Sequence, residues 1–216
     1  MSADLPQALI VDYGGVLTTS LPDTMGAWMR AEGVAPELFG ELMREWLADG
    51  GPSPAHDLET GRLAAAEFEV LLAERLRRAD GTGPAAEGIL TRMFAGFRAA
   101  PGMYGVLRRA RAHGLRTALL SNSWGAEYDR AGWDDLFDSV VISGEVGLRK
   151  PDAEIYELTA RLLGVAPTRC VFVDDLHINV RGAARAGMIG VHHTDVEVTV
   201  RELEVLFGLP LAPVTD

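Results

Sequence analysis

The sequence contains a single cysteine, Cys170, among 216 residues. One thiol cannot form an intrachain disulfide, and such sparing use of cysteine is typical of proteins from the reducing cytoplasm. Cys170 opens an apolar run, which predicts a buried and unreactive thiol rather than a nucleophile. We therefore expect a cytoplasmic protein whose chemistry does not depend on cysteine.

The sequence also lacks long hydrophobic runs. No segment approaches the length of apolar residues that a membrane-spanning helix needs. The N-terminus shows no basic stretch followed by an apolar one, so a secretion signal is not expected. These absences argue against a membrane protein and against export.

Positive charge is scarce: 20 lysines and arginines face 31 aspartates and glutamates, for a net charge of −11. Such a balance repels nucleic acids and anionic membrane surfaces unless a basic face is segregated. The arginine clusters at 75–78 and 108–111 are interspersed with apolar residues, as on the solvent-exposed faces of helices. We expect neither a nucleic-acid nor a membrane partner, and the sequence leaves the oligomeric state open.

Apolar residues are plentiful, at 48%, and from about residue 22 to about residue 97 they recur at spacings of three and four. This periodicity predicts amphipathic helices. The helical stripes are Met25, Trp28 and Met29; Leu38, Leu42, Met43, Trp46 and Leu47; Phe68, Leu71, Leu72 and Leu76; and Ile89, Leu90, Met93, Phe94 and Phe97. We interpret their methionines and aromatic residues chiefly as the core of a helical bundle.

Outside this block, strand-like and helix-like segments alternate. The predicted strands are 8–12, 116–121, 139–143, 170–174 and 190–193, and the predicted helices between them are 103–113, 153–163 and 178–186. Alternation of this kind implies right-handed crossovers and a parallel sheet. Because the helical block follows the first strand, we expect an α/β core made of residues 1–17 and 98–216, with a cap of residues 18–97 over the carboxyl edge of the sheet.

Polar residues end the apolar runs or follow them in the predicted loops. They are Asp12, Ser121 with Asn122, Lys150, and the pair Asp174 and Asp175. In open α/β sheets, ligands bind at the carboxyl ends of the strands. A nucleophilic carboxylate, a hydroxyl, a lysine and an acidic pair in this order indicate metal-assisted phosphoryl chemistry.

Four segments resemble the four motifs of the haloacid dehalogenase superfamily of hydrolases, in the same order. They are DYGGVL (12–17), LSNSW (120–124), VGLRKPDAEIY (146–156) and VFVDDLHIN (171–179). The chain is most similar to the branch that holds the N-terminal phosphatase domain of soluble epoxide hydrolases. The resemblance covers essentially the whole chain and implies a Rossmann-like core with a five-stranded parallel sheet, its first strand central, beneath a helical cap.

The resemblance implies that Asp12 is the nucleophile and forms an aspartyl-phosphate. Because a phosphate dianion repels a carboxylate, the family uses Mg²⁺, which prefers hard oxygen ligands. The implied ligands are the Asp12 side chain, the backbone carbonyl of Gly14 and Asp175, with Asp174 acting through water or from outside the ligand set.

The remaining motif residues are expected to bind or support the phosphoryl group. By resemblance, Ser121 donates a hydrogen bond to a phosphoryl oxygen, helped by the Asn122 backbone, and Lys150 neutralises charge shared with Asp12. Asn179 either supports the metal ligands from the following helix or is a purely structural amide. Trp124 follows the Ser121 loop directly and is a candidate for substrate binding, with structural packing equally open.

Gly14 departs from the pattern of the family. Typical phosphatases of this family carry a second aspartate at this position. That aspartate is the general acid and base, a function worth roughly 10²–10⁴-fold in rate. Glycine keeps the carbonyl for the metal but supplies no proton. Three outcomes stay open: His177 or a cap residue provides the proton, the substrate is an acyl or aryl phosphate with a good leaving group, or catalysis is weakened.

We expect a Mg²⁺-dependent hydrolase acting on a small organic phosphate monoester. The alternative is a catalytically weakened member that binds a phosphorylated ligand or partner. A dehalogenase is less favoured, because that branch needs no Mg²⁺, lacks this acidic pair and places a tyrosine where Gly14 stands. Tyr13 is one position off and should point to the other face of the chain. Trp28 and Met25 are further candidates for pocket lining.

Overall fold

The computed structural model describes residues 5–48, 53–78, 80–125 and 128–213. Five strands form one parallel sheet in the order β3-β2-β1-β4-β5. They are β1 (Ala8–Val11), β2 (Arg116–Ser121), β3 (Ser139–Ile142), β4 (Cys170–Asp174) and β5 (Ile189–His192). The α/β class, the parallel sheet and the central first strand are confirmed, and the predicted strand ends differ by at most one residue, within the usual ambiguity of boundaries.

The predicted helices 103–113, 153–163 and 178–186 are present with ends within two residues, whereas the helices over Ser143–Val146 and Val196–Phe207 were not predicted. Ten α-helices occur among the described residues. They are α1 (Leu21–Glu32), α2 (Pro36–Trp46), α3 (Pro54–Glu59), α4 (Ala65–Arg75), α5 (Ile89–Phe94), α6 (Pro101–Ala112), α7 (Ser143–Val146), α8 (Ala153–Leu163), α9 (His177–Arg185) and α10 (Val196–Phe207). Side-chain caps start several of them; at α10, for example, Asp195 accepts a hydrogen bond from the Val198 backbone at 2.9 Å.

Both faces of the sheet are covered, which explains why its strands are continuous apolar runs. Leu9 and Val11 of β1 face a core layer shared with α6 and α10. Ala8 and Ile10 face the other layer, shared with α8 and α9. Cys170 is buried in this second layer, and burial raises the pKa of its thiol to about 11, as expected for an unreactive cysteine.

Helices α1 to α5 enclose a hydrophobic cluster of their own. Its members include Trp28, Phe39, Leu42, Trp46, Phe68, Leu72, Leu76 and Met93. Two of the expected stripe residues, Leu47 and Leu71, are instead exposed. We call residues 18–97 the helical segment; their division from the core stays a prediction.

Two antiparallel stretches connect the helical segment to the sheet. Thr18 bridges Ala99, the Thr19 amide donates to the Arg98 carbonyl at 2.8 Å, and the Ala100 amide donates to the Leu17 carbonyl at 2.8 Å. The chain thus enters and leaves the segment at one place, just beyond the carboxyl end of β1.

The order of the strands creates a crevice at the carboxyl edge of the sheet. From β1 the chain builds β2 and β3 on one side, then crosses to β4 on the other. Ligands of open α/β sheets bind where the strand order reverses in this way. The crevice beside β1 and β4 is therefore where functional side chains are expected.

Among the described residues, no helix is long and apolar enough to span a membrane.

Candidate active site

Three carboxylates meet at the ends of β1 and β4. Asp12 follows β1, Asp174 ends β4 and Asp175 comes next. The Asp12 amide still donates to the Val173 carbonyl at 2.9 Å, so the pairing of the two strands holds Asp12 against the acidic pair. One oxygen from each carboxylate lies within 4.8 Å of the others.

Lys150 lies among these carboxylates and is almost fully buried. Its Nζ is 2.8 Å from Asp12 Oδ1 and 2.7 Å from Asp174 Oδ2, and it donates a third hydrogen bond to the Leu120 carbonyl at 3.1 Å. All three ammonium protons therefore have an acceptor. The arrangement fixes the lysine beside the predicted nucleophile.

Asn122 holds the backbone of Lys150 in place. Its Oδ1 accepts from the Lys150 amide at 2.9 Å, and its Nδ2 donates to the Lys150 carbonyl at 3.0 Å. The sequence predicted a contribution from the Asn122 backbone to phosphate binding. The structure adds a second task, because the side chain connects the Ser121 loop to the lysine.

Asp174 and Asp175 have different surroundings. Asp174 accepts hydrogen bonds from Lys150, from the Leu176 amide at 2.8 Å and from Asn179 Nδ2 at 3.1 Å to both oxygens. Asp175 Oδ1 is buried and has no hydrogen-bond partner among the described residues. Asn179 thus contacts Asp174 from helix α9, and its predicted supporting role stays a prediction, while Asp175 has one buried oxygen without a hydrogen-bond partner among the described residues.

Burial makes the carboxyl groups of Asp12 and Asp175 reluctant to ionise. It raises the pKa of Asp12 from 3.8 to about 8; Asp174 adds to the rise and Lys150 opposes it. Burial, reinforced by Asp174, raises the pKa of Asp175 to about 6. Burial alone would lower the pKa of Lys150, but Asp12 and Asp174 outweigh it, so the pKa is raised and the ammonium stays charged.

These residues fit a divalent cation. When all are ionised, three carboxylates and one ammonium leave two negative charges in a buried site. The unpartnered Asp175 Oδ1 and the other carboxylate oxygens are the hard donors that Mg²⁺ prefers. Gly15, with φ of 72°, lets the turn approach closely: a Cβ there would lie 2.2 Å from Asp175 Oδ2.

Gly14 lies beside apolar side chains. A Cβ built on it would lie 3.8 Å from Leu21 Cδ2 and 3.9 Å from Phe97 Cζ, which is ordinary van der Waals contact. His177, considered as a proton source, is exposed and stacks on His192 with ring centroids 3.7 Å apart. It is the first residue of helix α9.

Tyr128 was not identified from the sequence, yet it contacts the predicted phosphate-binding hydroxyl. Its phenol oxygen is 3.0 Å from Ser121 Oγ, and its ring packs edge-on against Tyr13 at 5.0 Å and Trp133 at 5.8 Å. Burial raises the pKa of Tyr128 to about 12, which keeps the phenol protonated at neutral pH. The sequence shows only a tyrosine seven residues after Ser121. Because a loop has no regular periodicity, this spacing does not predict that the two side chains meet.

The tryptophans proposed for substrate contact lie in packed surroundings. Trp124 donates from Nε1 to Glu59 Oε1 at 3.1 Å and packs edge-on against Phe68 at 5.6 Å. Trp28 is buried inside the helical segment against Phe39, and Met25 packs on the same cluster. Trp124 thus joins the core to the helical segment, a contact that sequence reasoning did not foresee.

Comparison with known families identifies the class of protein. A family model for haloacid dehalogenase-like hydrolases matches residues 6–187. The chain therefore belongs to this family of hydrolases, as its four motifs predicted.

Relatives include phosphatases. The chain is 29% identical over 191 residues to a phosphatase of Mycobacterium tuberculosis, covering 84% of each protein. It is 25% identical over 221 residues to mouse bifunctional epoxide hydrolase 2, covering 94% of this chain and 39% of the relative. It is 29% identical over 233 residues to mouse acyl-CoA dehydrogenase family member 10, covering 95% and 19%. The chain thus spans two fifths or less of both mouse proteins.

Solved structures share the fold. One is a family member from Bacteroides thetaiotaomicron in complex with magnesium and inorganic phosphate, with a TM-score of 0.64 and 19% identity over 88% of this chain and 94% of that one. Another is a dehalogenase with an intermediate complex, with a TM-score of 0.65 and 19% identity over 94% and 98%. At these identities the likeness establishes the fold alone.

Proposed function

We propose that the protein is a Mg²⁺-dependent phosphatase that hydrolyses a small organic phosphate monoester through an aspartyl-phosphate on Asp12. The observation that carries the proposal is the buried group of Asp12, Lys150, Asp174 and Asp175 at the crevice of the sheet. Phosphatases among the relatives support the same class of reaction.

In this proposal the Asp12 carboxylate attacks phosphorus. Its Oδ1 accepts hydrogen bonds from the Tyr13 amide at 2.7 Å and from Lys150 Nζ, which fixes the orientation of the carboxylate. The bond between phosphorus and the ester oxygen breaks as the bond to Asp12 forms, and water then cleaves the aspartyl-phosphate to inorganic phosphate.

In this proposal several groups stabilise the negative charge on the phosphoryl group. The Ser121 hydroxyl binds a phosphoryl oxygen, and Lys150 neutralises charge that Asp12 shares with the phosphoryl group. The Tyr128 hydroxyl, 3.0 Å from Ser121 Oγ, would donate to the serine so that the serine proton points to the substrate. Mg²⁺ held by Asp12, Asp175 and the Gly14 carbonyl, with Asp174 through water, would neutralise the remaining negative charge.

The leaving group receives no proton from residue 14. Around this position lie the apolar side chains of Leu21 and Phe97. A substrate whose leaving oxygen is already a weak base, such as an acyl or aryl phosphate, suits such a site. The helical segment would act as a cap that excludes water and selects the substrate.

Hydrolysis of p-nitrophenyl phosphate and acetyl phosphate, with and without Mg²⁺, tests the proposal. We expect Mg²⁺-dependent turnover that is lost in Asp12→Asn and that exceeds turnover of the alkyl ester glycerol 3-phosphate. Turnover equal to that of a folded, Mg²⁺-binding Asp12→Asn variant would contradict the proposal. It would favour the second candidate, a phosphate-ligand binder, which the lack of an acid at Gly14 supports.

A further inference from the structure

Glu59 is a buried charge that joins the helical segment to the core. It ends α3, and its Oε2 lies 2.7 Å from the Nε of Arg149, which belongs to the core. The two side chains are only 5% and 12% exposed, so this ion pair is largely shielded from water. Glu59 Oε1 also accepts the hydrogen bond from Trp124.

The backbone around Glu59 adds further contacts between the same two parts of the chain. The Glu59 carbonyl accepts a hydrogen bond from Ser143 Oγ, which itself accepts one from the Ser123 amide at 2.8 Å. Gly61 approaches the core so closely that a Cβ there would lie 2.8 Å from the Gly144 carbonyl oxygen. We call this set of contacts the Glu59 junction; it is separate from the connection of 17–19 with 98–100.

The core residues of the Glu59 junction are neighbours of the proposed catalytic residues. Arg149 directly precedes Lys150, and Trp124 follows Ser121 and Asn122 in one loop. Because the Asn122 side chain binds the Lys150 backbone on both sides, the two loops are already tied together. A single carboxylate from the helical segment therefore reaches both loops at once.

A gain in folding stability does not by itself explain a buried ion pair such as Glu59 with Arg149. Removing two charges from water costs about as much as their attraction returns, so a buried ion pair is weak evidence for stabilisation. What it supplies is a defined geometry, since neither charge tolerates losing its partner. The exposed pair of Glu45 and Arg75, whose two charges both belong to the helical segment, carries no such constraint.

We propose that Glu59 is a positioning residue. By binding Arg149 and Trp124, it couples the placement of the helical segment on the core to the positions of Lys150 and Ser121 around Asp12. The kinetic consequence rests on the proposed phosphatase function. The structural consequence, that Glu59 orders these two loops, does not.

The test compares Glu59→Gln with Glu45→Gln, the same chemical change at an ion pair within the helical segment. Glutamine keeps an oxygen for Trp124 but removes the charge that faces Arg149. With p-nitrophenyl phosphate and saturating Mg²⁺, we expect Glu59→Gln to lower kcat by about tenfold to a hundredfold, the scale expected for small misplacements of catalytic groups. KM should change much less, and Glu45→Gln should match the wild type.

Hydrogen exchange supplies a readout that needs no turnover. In Glu59→Gln we expect faster exchange of the Ser123 and Lys150 amides, whose hydrogen bonds lie in the two loops, and unchanged exchange in Glu45→Gln. If the wild type proves not to be a phosphatase, this measurement still decides the inference. Equal exchange in both variants overturns it.

A double variant, Glu59→Gln with Arg149→Gln, guards against misfolding, because it leaves no unpaired buried charge. We expect it to fold and to keep both the reduced kcat and the faster exchange. Wild-type kcat and exchange in this double variant would show that the Glu59–Arg149 ion pair positions nothing, which overturns the inference even though the phosphatase proposal would stand.

Discussion

At the scale of single residues, we expect Gly14 to decide which substrates the site can process. A Cβ fits there without a clash, and the backbone is not among the glycines with positive φ, so an aspartate can be accommodated. We expect Gly14→Asp to raise kcat for glycerol 3-phosphate by roughly 10²–10⁴-fold, because a general acid would then protonate the leaving alkoxide. The gain for p-nitrophenyl phosphate should be much smaller, since its leaving group needs no proton.

Steady-state kinetics on both esters checks this, with Gly14→Ala as the control that adds the Cβ without the acid. A gain in Gly14→Ala would show that packing against Leu21 and Phe97, not proton transfer, had been limiting. No gain in Gly14→Asp, with Mg²⁺ binding intact, would mean that the missing acid is not the limiting defect.

The residues of the candidate site were predictable from sequence to different degrees. Asp12, Asp174 and Asp175 lie at the ends of buried parallel strands, and the geometry of such a sheet brings strand ends together. Tyr128 and Glu59 were not found, because their contacts are formed between segments distant in sequence. Tyr128 lies in a loop without periodicity, and no local pattern shows that Glu59 faces the core.

At the scale of helices and strands, two failures of the sequence patterns concern a short helix and a helix end. Helix α3, of six residues, completes fewer than two turns, too few to show a stripe of its own. Leu47 belongs to a predicted stripe but caps the end of α2, where the chain turns away and exposes the side chain. The strands were located more reliably, because cover on both faces makes each one a continuous apolar run.

Helix α9 illustrates how closely the elements beside the site are packed. A Cβ on Gly182 would lie 2.8 Å from Pro151 Cβ, from the Pro151 carbonyl oxygen and from the Tyr156 hydroxyl. Alanine normally stabilises a helix over glycine by about 1 kcal/mol. At Gly182 we expect the reverse, a loss of about 1–3 kcal/mol in the free energy of unfolding, because the overpacked helix must shift.

Urea denaturation of Gly182→Ala and Gly40→Ala measures this difference. Gly40 lies inside α2, and a Cβ there would meet nothing within 4 Å. The control should therefore gain stability while Gly182→Ala loses it. A higher free energy of unfolding in both variants would show that α9 can shift without destabilising the protein, and that its close approach to Pro151 does not constrain the fold.

At the scale of the whole molecule, the chain builds its packing in separate clusters. Two lie on the faces of the sheet and one within the helical segment. Between the segment and the rest of the chain the contacts are both apolar and polar: Trp124 packs against Phe68, Glu59 pairs with Arg149, and Ser143 donates to the Glu59 carbonyl. Hydrophobic clusters thus hold each part together, and contacts of both kinds join the two parts.

Magnesium and pH are expected to act on the stability of the whole molecule through the same carboxylates. Without metal, the folded-state pKa values of Asp12, about 8, and Asp175, about 6, lie above the ordinary 3.8. The folded protein therefore binds more protons than the unfolded chain. The stability this contributes is fully present below about pH 3.8 and is lost as pH rises through about 6 and then about 8.

In the proposed function Mg²⁺ binds the deprotonated carboxylates, so protons would compete with it across this same window. We therefore expect the rise in Tm on adding millimolar Mg²⁺ to a chelator-treated protein to be larger near pH 8 than near pH 5, as thermal denaturation can measure. Asp175→Asn should lose most of the rise, because it removes a ligand, whereas Glu45→Gln, which alters an exposed carboxylate, should keep it. A rise in Tm that is equal at pH 5 and pH 8 would mean that Mg²⁺ binds elsewhere. Binding depends on pH in this range only if Mg²⁺ must displace protons from carboxyl groups that are protonated in the metal-free protein.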